Sequence, residues 1–184
     1  MKKLLGFLLV AGLTACAPTV EIDDTDSQDT VAIVEFDPAN SIVPFPNNLL
    51  LDPTTGILNI PAGCFETEGE TTLRANLLNQ LDGFALVDTP IATTFSEAVD
   101  LESVADKVMV MNMADGSTVD VLPVGLTTSR WDATCSTFST DIPQMALIPT
   151  STLKPNTNYA VILKNGITSV NGNTFKASAV WGLT

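Results

Sequence analysis

Hydrophobic and polar positions change their rhythm several times along this chain. A ten-residue apolar run, Leu4 to Leu13, follows Lys2 and Lys3. Residues 17–30 (APTVEIDDTDSQDT) are polar and acidic, with no apolar period. Such a segment buries too little apolar surface to offset its ordering entropy, so a flexible tether is expected over 16–30. Order is expected from about Val31. The stretch Val31 to Phe36 has strand propensity and is broken by the Pro44, Pro46, Asn47, Asn48 cluster. Ile57 to Ile60 reads as another short strand after the Thr55-Gly56 turn. Leu73, Leu77, Leu78 and Leu81 then recur at helical spacing. That spacing predicts one helix from Thr72 to about Leu81, ended by Asp82-Gly83, with its leucines facing the core.

From about Pro90 the pattern becomes short strands separated by turn signals. Ile91 to Phe95 is a strand, with a helical turn expected at Leu101 to Val104. Lys107 to Met113 should pair with Thr118 to Leu122 across Ala114-Asp115-Gly116-Ser117, a hairpin signal. Met111 and Met113 in that strand suit packing better than metal binding. Met145 to Ile148, Asn158 to Leu163 and Thr174 to Ala179 follow, with Asn165-Gly166 and Asn171-Gly172 as turns. Little helix and regular Gly/Asn punctuation predict a mostly β chain, built as a β-sandwich.

The apolar run near the N-terminus is too short to span a bilayer, which needs about 20 helical residues. It has the layout of a cleaved targeting segment, residues 1–15. Its end, Leu13-Thr14-Ala15-Cys16, resembles a bacterial lipobox, which makes Cys16 the expected lipidation site and mature N-terminus. Ala17, in place of an aspartate, favours the outer membrane, on its periplasmic face or at the cell surface. With Cys16 acylated, Cys64 and Cys135 remain as an even pair in an oxidising compartment. A disulfide is expected, two buried thiols being the alternative.

Charge and the missing residue types narrow the chemistry. The net charge is −13, and loss of Lys2 and Lys3 takes it to −15. No basic patch is available to neutralise phosphates, so nucleic acid is excluded as a partner. The chain contains no histidine and no G-x-S-x-G, so a Ser-His-Asp route to hydrolysis is closed to these residues. Asp23, Asp24, Asp26 and Asp29 lack the glycine turn and terminal glutamate of a calcium loop. With no histidine, a zinc tetrad would have to borrow carboxylates. Paired carboxylates can catalyse glycoside hydrolysis, but acidic surfaces offer chance pairs. No catalytic residue, metal or cofactor is therefore expected.

Two resemblances cover the ordered part of the chain. Phe95-Ser96-Glu97-Ala98-Val99-Asp100, Asp115-Gly116, Leu153-Lys154-Pro155-Asn156-Thr157-Asn158-Tyr159, Gly166-Ile167 and Asn171-Gly172-Asn173 resemble a bacterial Ig-like domain. That resemblance implies an Ig-like β-sandwich over 90–184, with Tyr159 a structural tyrosine at a strand corner. Upstream, Phe36-Asp37-Pro38-Ala39-Asn40, Pro44-Phe45-Pro46-Asn47-Asn48-Leu49-Leu50, Leu58-Asn59-Ile60-Pro61 and Leu78-Asn79-Gln80-Leu81-Asp82-Gly83-Phe84 are similar to the N-terminal domain of bacterial virulence-factor lipases. In that family the domain precedes an α/β-hydrolase, which has no counterpart in these residues, and 31–89 would be the lipase-associated region. The implied function is a membrane-anchored, non-catalytic accessory module of a surface lipase or lysophospholipase, with a downstream hydrolase as partner. The expected alternative is a stand-alone Ig-like lipoprotein that binds protein or glycan, for which Trp131 and Trp181 are the natural anchors if exposed. Both are expected to be buried.

Overall fold

A computed structural model of the protein describes residues 31–84 and 89–183. The targeting segment 1–15, Cys16, the tether 16–30 and its aspartates lie outside the described residues. Two three-stranded antiparallel sheets carry the fold. In the first, β2 (Ile91–Thr94), β6 (Phe138–Pro149) and β5 (Val121–Trp131) lie in that order. In the second, β3 (Val108–Asn112) lies between β4 (Thr118–Val119) and β7 (Tyr159–Leu163). A third, parallel pair joins β1 (Ala32–Val34) to β8 (Phe175–Ala177).

The sheets meet over one core. Val110 of β3 and Met145 and Leu147 of β6 are buried together with Ala32, Phe95, Val104, Ile167 and Phe175. The expected turn at Leu101–Val104 is a 3-10 helix whose Val104 plugs that core. The expected hairpin forms, with Val110 opposite Val119 and Met111 opposite Thr118. Its second strand does not continue to Leu122 in one sheet. The chain changes sheets at Asp120, whose carbonyl accepts from the Thr150 N–H (2.9 Å) and hydroxyl (3.0 Å).

Residues before 90 are stitched into this body rather than packed beside it. Ser96 Oγ accepts from the Ile33 N–H at 2.8 Å, and the Ser96 N–H returns a bond to the Ile33 carbonyl at 2.9 Å. Arg130 of β5 reaches Glu35 at 3.0 Å, and Phe36 stacks on Trp181 with ring centroids 4.3 Å apart.

At the opposite sheet, the Lys154 N–H donates to the Tyr159 hydroxyl at 2.8 Å, closing the corner that leads into β7. Tyr159→Phe removes that acceptor, with an expected loss of about 1 kcal/mol in a urea titration. Asp115 and Lys154, 2.8 Å apart, tie the same corner to the β3–β4 turn.

Four expectations need correction. The helix α1 runs Glu68–Asn76, earlier than the leucine spacing predicts. A capping box starts it: Thr67 Oγ1 accepts from the Glu70 N–H, and the Glu70 carboxylate accepts from the Thr67 N–H. Leu77 leaves helical geometry, so the leucine stripe breaks. Leu73 and Leu77 are exposed, Leu78 and Leu81 are half-buried, and no residue of α1 is buried. Ile57 to Ile60 forms a single bridge, Leu51 to Leu58, rather than a strand. There the Leu58 N–H bonds to the Leu81 carbonyl and the Asn59 N–H to Leu50. Met113 lies beyond the end of β3 and is exposed rather than packed. The strand expected over Thr174 to Ala179 is shorter, β8 ending at Ala177, and a 3-10 turn, Ala179–Leu183, follows it.

Candidate functional site

The feature that departs most from an ordinary sandwich lies where β5 and β6 run past the core. The connection between them is organised by Asp132. Its carboxylate accepts from the Ser136 N–H and hydroxyl, both at 2.8 Å, and from the Thr134 N–H (3.1 Å) and hydroxyl (3.0 Å). The Ser136 N–H and hydroxyl hold this carboxyl well below the usual range. Cys135 takes a left-handed conformation (φ 57°) in the turn that results.

Cys135 is bonded to Cys64, 71 residues earlier, with Cα atoms 5.5 Å apart. The segment that carries Cys64 is itself braced. Glu66 accepts from Arg74 Nε at 2.8 Å and from the Gly63 N–H at 2.7 Å, and Arg74 also reaches the Ile60 carbonyl. The Arg74 hydrogen bond, helped by the Gly63 N–H, pulls the Glu66 carboxyl down from 4.5 to about 2. A depressed carboxyl contributes its stability fully above the unfolded value and loses it as pH falls through the folded one. Asp52, Glu70, Glu97, Asp115 and Asp132 are lowered too, each by hydrogen bonds to its charged form. The urea midpoint should therefore hold above pH 4.5 and fall steadily toward pH 2, with a smaller fall in Glu66→Gln.

The disulfide joins three aromatic rings. Trp131 and Phe138 are register partners across β5 and β6, and their ring centroids lie 5.0 Å apart. Phe65, next to Cys64, meets Trp131 edge-on at 4.9 Å. These rings are not core. Phe65 is 72% exposed, Phe138 51% and Trp131 37%. Trp131 thus contradicts the expectation of burial: β5 carries it beyond the reach of the opposing sheet. Trp181 is half-buried against Phe36.

Two shallow depressions flank the rings. One, of about 230 Å³, is lined by residues that include Trp131, Arg130, Asp132, Asn40, Thr137 and Ser139. The other, of about 500 Å³, is lined by residues that include Phe65, Glu66, Leu73 and Arg74. Among the described residues, no group of three or more His, Cys, Asp or Glu side chains is placed to hold a metal ion.

Residues 75–184 match a family described as the bacterial Ig-like domain, more than half of the chain. The chain belongs to the bacterial Ig-like domain family. No curated protein matches it significantly. The match begins within α1, upstream of residue 90, and no corresponding match ties residues 36–84 to a lipase N-terminal domain. In this Ig-like chain Cys135, Trp131 and Phe138 lie inside the matched span, and Cys64 and Phe65 lie before it. The aromatic surface is therefore assembled from both parts through the disulfide.

Of the residues singled out from sequence, the fold brings Cys64 and Cys135 together and places Tyr159 at a corner of the other sheet. Phe65 and Phe138 were not anticipated. The available signal was an aromatic residue within four positions of each paired cysteine: Phe65 beside Cys64, and Trp131 and Phe138 around Cys135.

Proposed function

We propose that this Ig-like chain is a non-catalytic binding module of the bacterial envelope, and that its contact surface is Phe65, Trp131 and Phe138. One observation carries the reading: three large aromatic rings stand exposed side by side, fixed by a disulfide. Aromatic residues dominate binding energy at contact surfaces, and rings held in advance lose little conformational freedom on binding. An isolated exposed ring would need no explanation, whereas a contiguous apolar patch does.

The anchor is an acyl group on Cys16, supported by the lipobox-like Leu13-Thr14-Ala15-Cys16, with the outer membrane as its location. Two or more acyl chains at about 0.8 kcal/mol per buried methylene hold a protein on a membrane durably. Anchoring raises the effective concentration of the surface near its target without demanding high affinity from it.

The test is co-sedimentation of the mature chain, residues 16–184, carrying Cys16→Ala, so that neither the apolar run Leu4 to Leu13 nor an acyl group contributes, with purified envelopes of the source bacterium. Trp131→Ala combined with Phe138→Ala should weaken binding about tenfold or more, the equivalent of 1.4 kcal/mol or more. Val161→Ala, at an exposed position of β7, should leave it unchanged. Equal binding by all three proteins would place the contact elsewhere.

A second reading rests on the Pro44-Phe45-Pro46-Asn47-Asn48 and Leu78-to-Phe84 resemblance: the module presents a lipase or lysophospholipase at the membrane. An immunoblot of native membranes separates the two. A band several times larger than 19.4 kDa supports a hydrolase partner on the same chain, and a band at 19.4 kDa supports binding alone.

A further inference from the structure

Ligand class can be argued from what surrounds the rings. We infer that the aromatic surface takes a neutral polysaccharide chain, an inference that rests on the reading of this surface as the binding site. Each cationic group that lines the two depressions is already paired with a carboxylate, and the remaining carboxylates, Asp132 and Glu70, are held by hydrogen bonds within their own turns. Arg130 is paired with Glu35 at 3.0 Å, and Glu66 with Arg74 at 2.8 Å. The Asp132 carboxylate is consumed by Ser136 and Thr134 in its own turn.

That pattern discriminates between ligands. An anionic ligand would find no free counter-charge here, and a cationic one would have to compete with the hydrogen bonds that already hold Asp132 and Glu70. A polyanion would in addition meet the field of a chain with net charge −13. A protein partner takes its register and specificity from complementary charges at the rim of the contact. At this surface the cationic charges are spent internally, on Glu35 and Glu66.

What remains available suits a sugar. The faces of aromatic rings carry the negative lobe of a quadrupole, to which the weakly positive C–H groups on the apolar face of a pyranose are attracted. Thr137, Ser139 and Asn40 line the depression beside Trp131; the Thr137 side chain already bonds to Asp132 and the Asn40 amide N–H to Asp37, which leaves their oxygens and the Ser139 hydroxyl for a ligand's own hydroxyls. Neither depression encloses a compact ligand: the one beside Trp131, at 230 Å³, is below the roughly 300–1,000 Å³ of small-molecule pockets, and the one beside Phe65, at about 500 Å³, is the more open of the two. A linear chain laid over three neighbouring rings needs no enclosure. A polymer also presents the same unit repeatedly, which compensates for weak contact at each one.

The experiment uses the mature chain, residues 16–184, with Cys16→Ala and purified envelopes in three forms: untreated, oxidised with periodate to cleave sugar diols, and digested with protease. Periodate should abolish the part of the binding that depends on Trp131, at least about tenfold, and protease digestion should leave that part in place. High salt should leave it in place too, because no charge pair crosses the interface. Trp131-dependent binding that survives periodate overturns the glycan assignment, and its loss on protease digestion alone would identify a protein partner. Binding lost in high salt overturns the neutrality of the ligand. Binding with no dependence on Trp131 is a different failure, that of the site itself.

Discussion

Replacing Phe95 with alanine should cost the fold about 3–5 kcal/mol, the range for a large aromatic deleted from a close-packed core. Phe95 is 0% exposed and meets Phe175 edge-on with centroids 4.9 Å apart. Its backbone is held on two sides, by a bridge to Val34 and by its N–H bond to the Pro143 carbonyl at 2.9 Å. The surrounding elements therefore cannot close over the space left behind. Against a total stability of about 5–15 kcal/mol for a domain, that is about a fifth of the whole or more. Urea titrations of wild type, Phe95→Leu and Phe95→Ala should show graded losses, with the leucine variant keeping more than half of the difference. A change below about 1 kcal/mol for the alanine variant would mean that the sheets do not meet over this ring.

Loss of the Cys64–Cys135 bond is expected to be as severe, by a different route. The bond closes a loop of 71 residues that contains α1 and β2 to β5. Cross-linking so long a loop removes roughly 4 kcal/mol of chain entropy from the unfolded state. For a domain of this size that corresponds to a fall in Tm on the order of 10 °C. Calorimetry of Cys64→Ser with Cys135→Ser, beside the oxidised wild type, measures it. The same pair of substitutions releases Phe65 from Trp131, because among the described residues the disulfide is the covalent tie between the Gly63–Glu66 segment and the β5–β6 turn. Binding should weaken in parallel with stability. Equal Tm for the two proteins would contradict the bond.

The sequence disclosed local structure better than contacts between distant segments. The Leu101–Val104 turn, the Ala114–Ser117 hairpin and the glycines of Asn165-Gly166 and Asn171-Gly172 carry their information within a few residues. Gly166 and Gly172 take φ of 95° and 85°, which glycine adopts without the clash a Cβ would bring. β5 and β6 were underestimated because their outer halves, Thr127 to Arg130 and Ser139 to Asp141, are polar and show no apolar alternation. Those halves run beyond the core, so neither face is buried and only the partner strand defines them.

The cysteine pairing was legible from counting alone, once Cys16 was set apart. The exposure of the rings beside it was not. An aromatic residue in a strand is usually packed, whereas Trp131 is the last residue of β5, at the end of its polar outer half. The leucine stripe failed for a related reason. Helical spacing identifies a common face only while the helix is continuous, and it ends at Asn76. The start of that helix was readable in Thr67 and Glu70, a capping pair three residues apart that the leucine pattern overshadowed.

The most direct measurement follows Trp131 itself during binding. The chain has two tryptophans, and Trp181→Phe keeps a ring against Phe36 while leaving Trp131 as the sole indole. On addition of purified envelopes to this variant, with Cys16→Ala, the emission of Trp131 should shift to the blue and its quenching by acrylamide should fall, in step with the sedimented fraction. If the protein sediments with the envelopes and the emission and quenching of Trp131 stay as they were in free solution, the aromatic surface is not where this Ig-like chain makes its contact.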